Sequence, residues 1–235
     1  MDAAKLADGL VYYIVFLFST TVHEAGHAWA AKLGGDLTAY HGGQVSLDPR
    51  PHIRREPFGM VVLPLLATLV SGWPFGFASA PYDPDWALRH PKRAAWMALA
   101  GPAANVVLII LAVIAIRIGV SAGVFFPPES ARFGHLVGAA EGTMWTAMAF
   151  NVSVVFSLNL MLVCLNLFPV PPLDGSGVIM LAMPRSTANR YQELLWKNQM
   201  LSIAGMLVAW RVFDYVFDPI FWAAVNLIYP DTSYR

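Results

Sequence analysis

Long stretches without a charged residue constrain this chain more than any other feature of its sequence. Residues 57–82 hold 26 consecutive uncharged positions, residues 94–116 hold 23, and residues 142–173 hold 32. A helix that crosses the hydrocarbon core of a bilayer needs about 20 mostly apolar residues. Three longer stretches in a chain of 235 residues favour membrane-spanning helices over buried helices of a water-soluble core.

The composition agrees with a membrane protein. Charged residues make up 13% of the chain, whereas a soluble domain carries about 25%. Fifteen basic residues balance fifteen acidic ones, which argues against nucleic acid as a partner, because such a partner favours a basic patch. The single cysteine, Cys164, excludes an intrachain disulfide and a multi-cysteine zinc site. We expect one transmembrane domain over residues 1–235, with a core at about 8–183 and a C-terminal helix at 198–228.

The pattern predicts an all-α polytopic membrane protein with about five to six transmembrane helices. The main helices are predicted at 8–32, 57–74, 93–118, 142–168 and 198–228, and a shorter one at 174–183. The second helix contains Pro64 and Gly72, so we expect it to kink or to cross only part of the bilayer. Residues 43–48 alternate between polar and apolar types, which predicts a short membrane-associated β segment.

The first apolar run invites comparison with a signal peptide, because Ala28-Trp29-Ala30 is similar to a cleavage site. A signal peptide begins with a basic segment, whereas this one carries Asp2 and Asp8 against a single Lys5. We therefore expect the run to be a retained helix.

This first helix contains the sequence His23-Glu24-Ala25-Gly26-His27. Ionisable residues at membrane depth are costly and indicate function by default. Residues four positions apart lie one above the other on one helix face, so both imidazoles can bind one metal ion. Glu24 can then reach a metal-bound water as a general base. The alternative interpretation is a pair of histidines hydrogen-bonded within a helix bundle.

A catalytic zinc site needs a third protein ligand and an open position for water. Asp174 follows the longest uncharged run and three prolines, which end the helix and leave backbone groups unpaired. Irregular backbone at membrane depth is tolerated only inside protein or beside a water-filled cavity. Asp174 is therefore a candidate ligand. It is also suited to cap the helix that follows, and the two roles are compatible.

Two asparagines are candidates for the same site. Gly101-Pro102 favours a kink or a close approach of two helices, and Asn105 follows in the same apolar helix. Asn166 lies near the end of the longest uncharged run. Each amide has two open interpretations, an interhelical hydrogen bond or a donor to a substrate carbonyl or oxyanion.

The ordered set of motifs resembles the site-2 protease family, which consists of zinc metalloproteases that cut substrates within or near the membrane. In chain order, the motifs are His23-Glu24-xx-His27, Gly101-Pro102-xx-Asn105 and Asn166-xx-Pro169-x-Pro171-Pro172-Leu173-Asp174-Gly175. The resemblance extends from about residue 10 to about residue 180, and the ordered set is far more specific than any one motif.

The segment Leu47-Asp48-Pro49-xx-His52-Ile53, followed by Pro57-Phe58-Gly59, is similar to the compact bacterial branch of that family, which lacks a PDZ domain. The same branch usually carries a Gly-Trp-Ala-Lys-Pro-like segment after the second helix. This chain has no lysine there and continues from Gly72-Trp73 with Pro74-Phe75. The departure concerns the local loop and substrate specificity rather than the metal site.

The resemblance implies one Zn²⁺ per chain, with His23, His27 and Asp174 as ligands and Glu24 as catalytic base. It also implies that Asn105 and Asn166 belong to the active site. The implied function is that of a zinc-dependent intramembrane endopeptidase.

The implied setting is a multi-pass protein of the cell membrane, in a bacterium the inner or plasma membrane. The active site would lie within the bilayer, nearer its cytosolic face, and the substrate would be a transmembrane protein or peptide. We expect residues 43–48 to hold that substrate in an extended form. The Lys and Arg residues divide evenly between the two sides, so they do not fix the orientation, and the sequence does not indicate an oligomeric state.

Two other functions compete with this prediction. One is a catalytically inactive relative that binds membrane proteins without cutting them, but only catalysis requires Glu24 beside the histidines. The other is a membrane metal transporter, which would favour ionisable residues strung along a path across the membrane. In this chain, those residues converge on one place.

Overall fold

The computed structural model describes residues 3–234, and within that range it is helical and contains no β-strand. The α-helices of this range are α1 (Ala3–Gly34), α2 (Thr38–His41), α3 (Pro49–Arg55), α4 (Leu63–Ser71), α5 (Pro84–Arg89), α6 (Pro91–Ser121), α7 (Met144–Asn166), α8 (Asp174–Val178), α9 (Arg185–Lys197) and α10 (Gln199–Ile228). A π-helical turn, Phe58–Val62, leads into α4, and a 3₁₀ turn, Ile179–Ala182, continues α8.

Four helices of the described range are long and apolar enough to cross a bilayer, and these are α1, α6, α7 and α10. The prediction of about five to six spans fails at residues 57–74. The π-helical turn and α4 cover residues 58–71, which rise only about 21 Å at 1.5 Å per residue. A hydrocarbon core is about 30 Å thick. Gly72 ends α4 in a left-handed conformation with φ of 75°, so the helix stops before it reaches spanning length.

The strand predicted at residues 43–48 is also wrong. Gly43 turns the chain with φ of 75°, and the Gln44 N–H donates to the Ala39 carbonyl 3.0 Å away. Asp48 accepts from the Arg50 N–H and begins α3. A turn and a helix cap thus bound this segment, and it pairs with no strand in the described residues. Pairing of the β type occurs in the described residues only as isolated bridges in the loop between α6 and α7.

Helix α6 lies between α1 and α7 and contacts both, as well as α8. A Cβ atom placed on Gly26 of α1 would lie 2.8 Å from the Ala100 carbonyl oxygen of α6, so the absent side chain permits this close approach. The predicted close contact at Gly101-Pro102 is therefore confirmed. The largest apolar core lies on the other side of α6, where α7, α10 and the loop after α6 pack together.

Candidate metal centre and catalytic cavity

Helix α1 brings three of the predicted site residues together inside the protein. His23, Glu24 and His27 are all buried, with 5–6% of each side chain exposed. The Nε2 atoms of the two histidines lie 2.9 Å apart. A carboxylate oxygen of Glu24 and one ring nitrogen from each histidine all lie within 4.8 Å of one another. The spacing of four residues thus places both rings on one face of α1, as the helical period requires.

Both imidazole rings are oriented by acceptors on α6. The Nδ1 atom of His27 lies 2.7 Å from the main-chain oxygen of Met97, which can only accept, so Nδ1 carries the proton. The Nδ1 atom of His23 faces Oδ1 of Asn105. The amide nitrogen of Asn105 donates to the Ser19 carbonyl, which fixes the orientation of that amide. When neutral, each ring therefore directs its unprotonated Nε2 into the space between them, as a metal-ligating histidine does.

Asp174 completes this group from a distant part of the chain. It is the first residue of α8, directly after the proline-rich segment. Its Oδ2 atom lies 3.0 Å from Nε2 of His23, and its Oδ1 atom lies 3.3 Å from Nε2 of His27. Leu173 is the N-cap residue of α8, and the Asp174 carboxylate lies against the two histidines.

The donor set fits a zinc ion. In the tautomer that leaves Nε2 unprotonated, two nitrogens and a carboxylate face one another, and such a set of acceptors needs a proton or a metal cation between its members. Oδ2 of Asp174 is buried and makes no hydrogen bond, although it lies near His23. Tetrahedral ligands with bonds of about 2.0–2.1 Å lie about 3.3 Å apart, which is close to the separations of 2.9–3.3 Å found here.

Gly101 of α6 leaves the space that this arrangement needs. A Cβ atom at this position would lie 2.3 Å from Nε2 of His27 and 2.6 Å from Nε2 of His23. These distances are far below van der Waals contact, so any side chain here would displace the rings. Gly175 has a similar role on the other side, where a Cβ atom would lie 2.2 Å from the Phe168 carbonyl oxygen.

Glu24 is close to the candidate ligand atoms of the two histidines. Its Oε2 atom is buried and has no hydrogen-bond partner, and the side chain lines the same cavity as His27 and Asp174. An unpartnered buried carboxylate oxygen is costly in a stable fold. It is well placed to accept a proton from a reactant in the cavity.

Asn105 lies in this site but has no free donor. It is fully buried, and its amide nitrogen donates to the Ser19 carbonyl and to Oδ1 of Asn159. Its oxygen faces His23. Of the two open interpretations, the interhelical hydrogen bond is the one that the structure contains, and its partner is a metal-site histidine.

Asn159, Met97 and Ser19 support the two histidines, although the sequence does not single them out. Asn159 donates to Oγ of Ser19, 2.9 Å away, and to its own helix at Val155. The feature of the sequence that could have identified Asn159 is a polar amide within a helix that has no charged residue. Met97 acts through its main chain, and no residue type can reveal such a role.

The structure does not bring Asn166 into this group. It is the last residue of α7 and half-buried, and it does not line the cavity beside Glu24.

The cavity next to the metal centre has a volume of about 280 Å³. One wall is the irregular segment 78–80 and another is α9, and residues of α1, α6 and α8 line the remainder together with residues next to these elements. The Ser79 carbonyl accepts from Nε2 of Gln44 and from Nε of Arg55. The main chains of Ala78 and Ala80 have no main-chain partner in the described residues, so their N–H and C=O groups are available to a ligand.

Comparison with known proteins also indicates a relation to metalloproteases. The family model described as Peptidase family M50 matches residues 11–207. The zinc metalloprotease candidate YwhC of Bacillus subtilis (strain 168) is 27% identical over 225 residues, which cover 88% of this chain and 92% of YwhC. No solved structure matches the chain significantly.

A second relative, the zinc metalloprotease candidate Rip2 of Mycolicibacterium smegmatis, is 27% identical over 209 residues, with 88% of this chain and 70% of the relative covered. Rip2 of Mycobacterium tuberculosis H37Rv is 31% identical over 165 residues, which cover 70% of this chain and 54% of that protein.

Proposed function

The chain belongs to peptidase family M50 and is a metalloendopeptidase. From that premise we propose that it is a zinc-dependent intramembrane endopeptidase of the cell membrane, which cuts membrane-spanning proteins or peptides. His23, His27 and Asp174 would hold one zinc ion, and Glu24 would be the general base. The observation that carries the proposal is the convergence of three acceptors from α1 and α8, at 2.9–3.3 Å, beside a carboxylate without a partner.

The chemistry divides between the metal and the protein. When bound, zinc supplies a Lewis acid that polarises a peptide carbonyl and lowers the pKa of a water molecule. Glu24 takes the proton of the attacking water on its carboxylate and delivers it to the leaving amine. Asn105 and the Met97 carbonyl hold the two imidazoles in the tautomer that leaves Nε2 free. In this proposal, Asn105 is a positioning residue.

The substrate has to reach this site as an unwound chain, because a helix keeps its carbonyls in internal hydrogen bonds. The free main-chain groups of Ala78 and Ala80 line the cavity. They offer hydrogen-bond donors and acceptors that can replace the internal helix bonds which a peptide loses when it unwinds. The hydrogen bonds from Gln44 and Arg55 to Ser79 hold that segment in place. We therefore assign the extended binding of substrate to segment 78–80 instead of residues 43–48.

A cleavage assay with Glu24→Gln tests the proposal. Glutamine keeps the size of the side chain but cannot accept a proton, so turnover of a single-span substrate should fall by about 10²- to 10⁴-fold. The variant should keep its zinc. The matched control is Glu193→Gln on the exposed side of α9, which should leave turnover unchanged.

The same assay separates the competing functions. Equal processing by wild type and Glu24→Gln, including none by either, would contradict the enzyme proposal. Binding of partners without cleavage would then indicate the inactive relative, and zinc flux into vesicles would indicate the transporter.

A further inference from the structure

Helix α9 buries a polar side chain, Gln192, on a face that also carries apolar residues. Gln192 is on the side of α9 that also carries Ala188, Leu195 and Trp196, at spacings of three and four residues. The side chain is 5% exposed. The charged residues Arg190, Glu193 and Lys197 lie elsewhere around the helix. A helix that packs against a protein normally keeps this face apolar, so a buried amide here needs an explanation.

The amide oxygen of Gln192, Oε1, is buried and has no hydrogen-bond partner in the described part of the protein. Buried polar atoms in folded proteins are nearly always bonded, and the exceptions tend to belong to functional sites or to await a ligand. Burial of an unbonded amide destabilises the fold, whereas methionine would fill the same space without that cost.

The position of Gln192 in the fold indicates the role of its amide. Gln192 lines the cavity of about 280 Å³ that also contains Glu24, His27 and Asp174. Segment 78–80, with its free main-chain groups, lines the same cavity. Leu195, Trp196 and Met180 form apolar parts of the wall. The cavity thus combines hydrogen-bonding groups suited to a peptide main chain with surfaces suited to apolar side chains.

We propose that Gln192 binds the main chain of the substrate next to the bond that is cut. A carboxamide offers one acceptor and two donors, so it pairs with the N–H and C=O groups of any residue and does not depend on the substrate's side chains. The class of ligand is an unwound, apolar peptide segment held between α9 and segment 78–80. This inference rests on the proposed function, and it makes α9 part of the substrate-binding site.

Two zinc-directed probes separate the binding of peptide groups from the binding of metal. Acetohydroxamic acid carries a metal-binding group alone, and a peptidyl hydroxamate with apolar side chains adds peptide N–H and C=O groups. Their affinities are measured on the zinc-loaded protein in detergent, for wild type and for Gln192→Met. The variant should bind the peptidyl hydroxamate about 3- to 10-fold more weakly, the usual worth of a net hydrogen bond. Its affinity for acetohydroxamic acid should not change.

The matched control is Asn189→Leu. Asn189 lies on the same helix and also has a buried amide oxygen without a partner, but it does not line the cavity. This variant should bind both probes as the wild type does. A thermal midpoint of Gln192→Met at or above that of the wild type is also expected, because the change removes an unsatisfied buried amide.

The outcomes distinguish this inference from the proposed function. Equal affinity of the peptidyl hydroxamate for wild type and Gln192→Met would overturn the inference alone. A lowered midpoint in both Gln192→Met and Gln192→Ala would also overturn it, since the amide would then support the fold. Failure of both probes to bind the wild type would overturn the proposed function and the inference with it.

Discussion

Each histidine of the candidate metal centre is oriented by an acceptor on a neighbouring helix. For His27, that acceptor is a main-chain carbonyl, which no substitution removes. For His23, it is the side chain of Asn105, which Ser19 and Asn159 hold in turn. The orientation of the His23 ring therefore depends on hydrogen-bonded side chains, and a substitution of one of them can change it.

Asn105→Ala should weaken zinc binding by about 10- to 100-fold, because it frees the His23 ring and its tautomer. Competition with a chromophoric chelator measures the affinity. Asn151→Ala is the control, since Asn151 is exposed on α7 and donates only to its own helix at Ala147. Unchanged zinc affinity in Asn105→Ala, together with lower turnover, would instead favour contact with the substrate.

Asp174→Asn distinguishes a ligand from a helix cap. Asparagine caps a helix about as well as aspartate, and the N-cap residue of α8 in the structure is Leu173, directly before Asp174. The substitution should therefore leave the thermal midpoint of the zinc-free protein unchanged. It should lower zinc affinity by more than about 100-fold, because the loss of a residue that only hydrogen-bonds a ligand costs about 10- to 100-fold. Near-normal zinc content and cleavage would assign the third ligand position to another residue.

At the residue scale, much of this site was predictable from the sequence. The spacing of His23 and His27 implies a shared helix face, and that depends only on the helical period. The partners of the ring Nδ1 atoms were not predictable in the same way. They depend on how far α6 is rotated against α1, and the sequence of α1 holds no information about that rotation.

At the scale of the elements, the contact between α1 and α6 decides whether the rings have room. Gly26 and Gly101 lie on facing sides of this contact, and each lacks the Cβ atom that would separate the helices. Helix propensity alone favours alanine over glycine by about 1 kcal/mol. The presence of glycine within both helices therefore reflects packing and not the stability of the isolated helix.

Gly101→Ala should abolish zinc binding while helix content stays unchanged. The new methyl group would lie 2.3 Å from Nε2 of His27, although alanine is the better helix former. Zinc content and circular dichroism of the purified protein measure the two effects. Ala103→Leu is the control, because Ala103 is exposed on the same helix and should tolerate a larger side chain. Retention of zinc by Gly101→Ala would mean that α6 is further from the histidines.

The length of an uncharged run predicted the extent of a helix poorly. The spacing of His23 and His27 predicted their shared helix face correctly. The uncharged run 57–82 is longer than a span requires, but only residues 58–71 are helical. The remainder includes segment 78–80, which is held by side chains from other parts of the fold. The absence of charged residues indicates that a segment lies in apolar surroundings. It does not indicate that the segment is one continuous helix. The supporting contacts of that segment are long-range, so no local pattern encodes them.

At the scale of the whole molecule, the metal ligands join two parts of the chain that the sequence holds far apart. His23 and His27 lie in α1, and Asp174 begins α8 after α6 and α7. Lys92 strengthens the same arrangement, because its ammonium group donates to the carbonyls of Met180, Leu181 and Met183 at the end of the helical segment that Asp174 begins. The segment is thus fixed to α6 at its far end, and the site fixes its near end to α1.

Zinc should therefore stabilise the fold as a cross-link between these two regions. A ligand that binds only the native state stabilises it by about 4 kcal/mol when its free concentration is 1,000 times Kd. Removal of the ion also leaves His23, His27 and Asp174 without the cation between them, so that only protons can relieve the repulsion of their acceptor atoms. We expect one zinc per chain by elemental analysis, and a thermal midpoint in detergent that falls by several degrees after chelation. The His23→Ala, His27→Ala double variant should contain no zinc, and chelation should leave its midpoint unchanged. An equal fall in the double variant, or zinc that survives both substitutions, would place the stabilising ion elsewhere.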